Sequence, residues 1–363
     1  MSVVDMAQDV LYLTAHYSQQ PYMGDDAGIG SARSHGVCII PIEGPVTIVV
    51  DIPWWRRDLV VADDVRPSID VAGTAAQAVH DLGLAGKRLA LVGASYMTAA
   101  AYLGFAERLA GTDLVRADRL VEQIRIFKSS VEIDLIRRSC ALGSRAMDAM
   151  LEAVGAGATE TEAEAECRRV RYAGGGVLYE AACALGPSAP GFSSAHLPSA
   201  DSVRRLQPGD MFHVGFCGSF GGYFFDFARS RVVGDAPTSR QRDLVEATIE
   251  CVETICREIR PGMTAGEVYA VGERWAAQSP VVAAIPADEA EIKRFPAFGH
   301  GIGMMWEMPW IMRDEPTVIE PRMYFGIEVL LGHPSIGGAM FEENGIVSQD
   351  GLEILTDARK RWW

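Results

Sequence analysis

Between Phe212 and Arg231 the chain reads FHVGFCGSFGGYFFDFARSR, two arms of alternating bulky and small residues around a pair of glycines. That pattern predicts a buried β-hairpin. The first 125 residues carry a different rhythm. GVCIIPI, VTIVVDI and KRLALVGA predict strands, and the alanine-rich stretches TAAQAVHDL and TAAAYLGFAERLA predict helices between them, an α/β pattern. A charged segment, VRADRLVEQIRIFKSS, then leads into a long helix whose start is marked by Ser129 and Glu132, three apart as a capping box requires. The domain boundary is therefore placed at residue 125, giving 1–125 and 126–363.

The second part contains an internal echo. LEAVGAGATETEAEAE and CREIRPGMTAGEVYAV align Gly157, Thr159 and Glu162 with Gly262, Thr264 and Glu267. Each copy has a glycine that ends one helix and a Thr-x-x-Glu box that starts the next. Each is linked to a glycine-rich β segment. Two such α+β halves facing one another would place a site on their pseudo-two-fold axis.

Ionisable residues interrupt the apolar strands. His213 and Asp226 lie in the two arms of the hairpin, His300 lies between glycines in FGHGIGMMWEMPW, and Glu328 lies within YFGIEVLLG. AMFEENGIVSQDG supplies Glu342 and Glu343. Unpaired charges in such surroundings cost several kcal/mol. Two readings satisfy the pattern: separate hydrogen-bonded core residues, or carboxylates and imidazoles sharing a divalent cation. The spacing contains no short signature of the HExxH kind to choose between them.

Bulk properties narrow the partners. Apolar residues make up 48% and charged residues 22% of the 363-residue chain, as in a globular protein. Its net charge of −15 argues against nucleic acid and anionic membranes as partners. The longest apolar runs are too short for a spanning helix, and the acidic MSVVDMAQDV start lacks the basic flank of a signal peptide, so a cytoplasmic location is expected. Seven scattered cysteines with no CxxC pair are expected to be reduced and to fill core. Cys217, beside the hairpin, has no visible activating base.

Taken in order, VLYLTAHY, FKSSVEIDLIRRSCALGSRAM, GHGIG, the Glu328 strand and FEENGIVSQDG resemble the pita-bread metallopeptidase family, which includes methionine aminopeptidase, aminopeptidase P, prolidase and creatinase. The resemblance spans nearly the whole chain. It implies an α+β pita-bread catalytic domain with an internal pseudo-two-fold repeat, preceded by a smaller creatinase-type α/β domain. It also implies a homodimer. By motif, the metal-ligand positions fall on Asp226, His300, Glu328 and Glu342, with His213 where the family has its first Asp in DxG. The stretch between the hairpin arms then looks two residues longer than usual. An imidazole in place of a carboxylate loses charge and a bidentate clamp, so one firmly held Mn, Fe, Zn or Co ion is expected, with a second weak, different in kind or absent.

The same resemblance gives His196 a substrate-binding or proton-transfer role and puts Glu307 where the family has a second pocket histidine. Trp306 and Trp310 beside it are candidates for a substrate pocket that accepts a cationic group. Several peptidase marks are changed: Met340 stands for an arginine, and Val329 and Leu330 for Pro-Gly. The expectation is a metal-dependent hydrolase cleaving a C–N bond of amide or amidine type in a small polar molecule. The rivals are an Xaa-Pro dipeptidase, a metal-dependent lyase, a metal-free hydrolase in the manner of creatinase, and an inactive binding module.

Overall fold

The computed structural model describes residues 2–4, 7–17, 36–51, 55–95, 97, 99–185, 204–234, 236–286, 297–333 and 335–363. The chain forms two units, Met1–Arg125 and Ile126–Trp363.

The first unit holds a six-stranded sheet in the order β4-β3-β2-β1-β5-β6. Its strands are β1 (Ser2–Val4), β2 (Gly36–Ile40), β3 (Thr47–Val50), β4 (Asp64–Pro67), β5 (Arg88–Val92) and β6 (Asp113–Arg116). The helices are α1 (Ala7–Thr14), α2 (Val71–Asp81), α3 (Ala99–Arg108) and α4 (Arg119–Arg125). Strand alternation sorts the side chains onto two faces. Val37, Ile39 and Val49 pack with Val71, Ala75 and Val79 of α2 and Phe105 of α3. Cys38, Ile48 and Val50 pack with Val10 and Val121 on the other face. Both faces are thus covered by helix, which is why these short strands read as continuous apolar runs. Asp9 and Arg125 form a buried ion pair at 3.1 Å.

The second unit begins with α5 (Ser130–Ala153) and α6 (Glu160–Ala173), followed by β7 (Val177–Leu185), β8 (Met211–Phe220) and β9 (Tyr223–Val232) in one antiparallel sheet. Next come α7 (Ser239–Glu258), α8 (Ala265–Gln278) and α9 (Pro280–Ala284). The second sheet, in the order β11-β10-β12-β13-β14, uses β10 (Ala297–Ile302), β11 (Trp306–Met312), β12 (Tyr324–His333), β13 (Gly337–Val347) and β14 (Leu352–Ile354).

The repeat extends to hydrogen bonds. Thr159 and Thr264 cap α6 and α8 with complete capping boxes. Gly157 and Gly262, both at positive φ, donate to Leu206 O at 2.8 Å and Ile319 O at 2.9 Å. Leu206 and Ile319 return bonds to Ala158 O and Met263 O. Each half therefore ties its helix-helix turn to the chain entering its sheet in the same way. The expected cap of α5 is present, with Ser129 and Glu132 bonding reciprocally.

The β8–β9 hairpin closes in a two-residue turn, Gly221 and Gly222, both at positive φ, which glycine adopts without a Cβ clash. Its register runs without a bulge from Phe220↔Tyr223 to Met211↔Val232. Among the described residues no helix is long and apolar enough to cross a membrane. The six cysteines whose side chains are described are all buried and none is in a disulfide.

Candidate metal centre

Residues of the two halves converge where β9 meets β12 and β13. Asp226, His300 and Glu342 each turn a donor atom into one volume, all within 4.8 Å of one another. Glu328 lies directly opposite Glu342 across β12 and β13, so both side chains share a face. The His300 Nε2 is 3.8 Å from Asp226 Oδ2 and 3.7 Å from Glu328 Oε1. Its Nδ1 faces the carbonyl of Gly301 at 3.2 Å, which can only accept, so Nδ1 carries the proton and Nε2 keeps its lone pair toward the carboxylates.

Glycine makes this volume possible. A Cβ at Gly326, the neighbour of His300 on β12, would fall 2.4 Å from Glu342 Oε1. Gly299, at φ +144°, approaches Gly326 O so closely that a Cβ there would lie 2.1 Å away.

Burial acts on every group. It raises the Asp226 carboxyl, against the opposing pull of His300 and the Trp306 hydrogen bond. It lowers His300. Burial, with the Asp226 charge beside it, pushes Glu328 up to about 8. Glu342 is held well above the carboxylate range by burial and by Asp226 and Glu328. Its Oε1 is buried without a hydrogen-bond partner among the described residues. Three crowded carboxylates, an imidazole lone pair and an unsatisfied buried oxygen fit a divalent cation.

His213 stands apart from this group, a correction to the motif reading. It faces Ser230 across the hairpin, four residues along β8 from Cys217, the residue paired with Asp226. Four residues of strand span roughly 13 Å. Its Nδ1 donates to Gly338 O at 3.1 Å, and burial depresses its pKa to about 4, which leaves it neutral. Because the hairpin has no bulge, the two-residue excess in the motif is an error of phase rather than an insertion. The position two residues later on the same face is Gly215, which has no side chain.

Glu307 has a partner that the sequence did not announce. Its Oε2 accepts from Lys128 Nζ at 2.7 Å, with both side chains at most 2% exposed. Trp306 and Trp310 of the same strand meet His300 instead, with ring centroids 6.4 and 5.0 Å away. The Trp306 indole N–H donates to Asp226 Oδ2 at 2.5 Å, and the residue is 43% exposed. Trp55 of the first unit packs on that unit's core and lies under Arg57 at 4.8 Å. His196 lies outside the described residues.

The supporting residues were mostly invisible in the sequence. Asn344 accepts from Asp226 N at 2.9 Å and donates to Asp226 O, gripping that residue's backbone from both sides. Arg229 donates to Glu342 O at 2.6 Å and to Glu343 Oε2 at 3.0 Å, so it joins β9 to β13 and turns Glu343 away from the cluster. The only signal for Lys128 was a lysine set in the apolar run IFKSS.

Comparison with known proteins agrees with this architecture. The profile of metallopeptidase family M24 matches residues 134–349. The chain is 25% identical over 257 residues to the Xaa-Pro dipeptidase of Pyrococcus furiosus, covering 70% of each chain. It is 30% identical over 156 residues to the agropine synthesis cyclase of Rhizobium rhizogenes, covering 42% of this chain and 37% of that one. Among solved structures, the Xaa-Pro dipeptidase from Bacillus anthracis superposes with a TM-score of 0.80 at 20% identity, covering 99% of this chain and 94% of that one. With the matched profile spanning both halves of the repeat and every residue of the cluster, the chain belongs to metallopeptidase family M24 and is a hydrolase of the pita-bread fold.

Proposed function

We propose that the chain cleaves a C–N bond of amide or amidine type in a small polar substrate, using one divalent cation held by Asp226, His300, Glu328 and Glu342. The observation that carries this reading is the composition of the cluster: four converging donors are present, while β8 offers glycine at 215 where a further carboxylate would be required. The changed recognition set points the same way, since Met340, in the place of the family's arginine, is a buried residue of β13.

A cation bound there would acidify a water and polarise the scissile group. The protein's own residues set the stage for that chemistry. His300 is oriented by its bond to Gly301 O, and Asp226 by Asn344 and Trp306. The half-exposed Trp306 and the partly buried Trp310 form the wall over which a cationic head would pass. His196 would carry the proton between substrate and solvent. Glu307, bound to Lys128, would fix the strand that presents the two tryptophans.

The nearest rival, Xaa-Pro dipeptidase, is favoured by the Pyrococcus relative. A relative named as a cyclase rather than a peptidase favours small molecules. The test is turnover by metal-loaded protein of proline dipeptides beside a panel of small amides and amidines with neutral and cationic heads, with His300→Ala as control. Hydrolysis of panel members but not of dipeptides is expected. Efficient dipeptide turnover would reject the small-molecule reading.

A further inference from the structure

Cys217 was expected to be core filler, yet the hairpin register sets it directly opposite Asp226. We propose that its thiol is a further donor to the cation, so that the centre takes a borderline-soft ion such as zinc, cobalt(II) or iron(II) in preference to magnesium or calcium. The inference rests on the cation reading above and deepens it.

Directly paired residues of antiparallel strands point to the same face, with Cβ atoms about 5 Å apart. The Gly221–Gly222 turn and the unbroken ladder hold that register. On the cluster-facing side of β8, Gly215 has no side chain and His213 is engaged four residues away by Gly338. Cys217 is therefore the donor that β8 presents beside Asp226. It is 4% exposed and in no disulfide.

A second, independent observation points to a ligand at this place. Glu342 Oε1 is buried within the cluster without a hydrogen-bond partner among the described residues. The Cys217 sulfur is not one of the three donors already within 4.8 Å of one another. A change of χ1 between staggered wells would be needed to bring it to them with the backbone in place. A cation drawing in the thiol releases its proton to solvent, leaving a thiolate, a ligand that selects zinc-like ions over oxygen-preferring ones.

The experiment is a cobalt(II) titration of chelator-treated full-length protein, wild type beside Cys217→Ser and His300→Ala. Visible d–d bands report binding whatever the donors, and a near-ultraviolet thiolate-to-cobalt charge-transfer band reports sulfur. The wild type should develop both. Cys217→Ser should keep the visible bands and lose the sulfur band, with zinc affinity reduced at least tenfold and manganese affinity much less. His300→Ala should lose both sets of bands. Visible bands without a sulfur band in the wild type would overturn the inference and leave the cation site standing. A sulfur band that survives in Cys217→Ser would also overturn it. Absence of any cobalt binding would overturn the cation reading, and this inference with it. Cys217→Asp, which keeps a donor but no sulfur, gives the same decision if the serine variant does not fold.

Discussion

The buried pair of Lys128 and Glu307 separates two roles for a carboxylate that motif comparison places in the catalytic pocket. The charged atoms are 2.7 Å apart and the side chains are 2% and 1% exposed. At an effective dielectric of about 20 their attraction is about 6 kcal/mol, opposed by a desolvation cost of several kcal/mol per ion. The intact pair is thus close to balance, but removing one member leaves the other buried without this opposite charge. Glu307→Gln or Lys128→Met alone should cost about 3–5 kcal/mol. For a unit of this size that is a fall of roughly 6–20 °C in the melting midpoint. The double variant should recover most of the loss, within about 2 kcal/mol of wild type, because neither charge then has to be desolvated. Thermal and urea unfolding of all four proteins, with turnover measured at a temperature where each is folded, completes the cycle. Glu307→Gln that melts with the wild type while turnover collapses would refute the structural assignment and restore Glu307 as a proton-handling group.

Three further outcomes follow from the same geometry. Gly215→Asp should raise the bound metal from one ion per chain to two, measured by plasma mass spectrometry, while His213→Asp should leave it at one; a second ion in the His213 variant would contradict the hairpin register. The metal-free protein should lose stability as pH rises: the Glu328 carboxyl sits at about 8 in the folded chain against an ordinary 4.5, so its contribution is fully present below the lower value and is lost as pH climbs through the higher. Melting curves at about pH 5 and about pH 8 should therefore diverge without ion and converge with saturating ion, and parallel curves would reject the crowded-carboxylate account. Gly299→Ala, whose Cβ would meet Gly326 O at 2.1 Å, should shift β10 against β12 and weaken metal binding at least tenfold, read by isothermal titration.

What the sequence disclosed follows from which signals are local. The capping boxes at Ser129, Thr159 and Thr264 were legible because four consecutive residues decide them. Strands β2, β3 and β5 were legible because burial on both faces makes them mostly apolar, with Arg88 at the exposed start of β5. Strands β4 and β6, DVRP and DLVR, were not, since they lie at the two ends of the sheet and carry charge on partly buried or exposed positions. His300, Glu328 and Glu342 were legible as ionisable residues in apolar strands. His213 showed the same signal and is no part of the cluster, because composition says that a buried polar group has a partner but not which one. Gly338 O satisfied it instead. A two-residue shift along a strand keeps every side chain on its face, so alternation cannot reveal such an error of phase. Pairing partners can.

The pseudo-symmetry explains why the cluster keeps its geometry with glycine at position 215 of β8. His300, Glu328 and Glu342 come from the second half of the repeat, and Asp226 alone comes from the first. The first half is secured to the second by contacts that do not involve an ion. Asn344 holds the Asp226 backbone through both its N–H and its carbonyl, and Tyr324 bonds both Asn344 and Phe224 O. Ser230 exchanges hydrogen bonds with the backbone of Met340, and Arg229 reaches Glu342 O. Asp226 is consequently presented to the cage by side chains around it, whether or not β8 supplies a donor. A fold held this way can exchange the residue facing Asp226, or lose the carboxylate two positions before it, without losing the place where a cation would sit. What changes is the number and softness of the donors, and with them the ion and the reaction. That freedom lies in β8, where Gly215 has no side chain and Cys217 is the residue paired with Asp226.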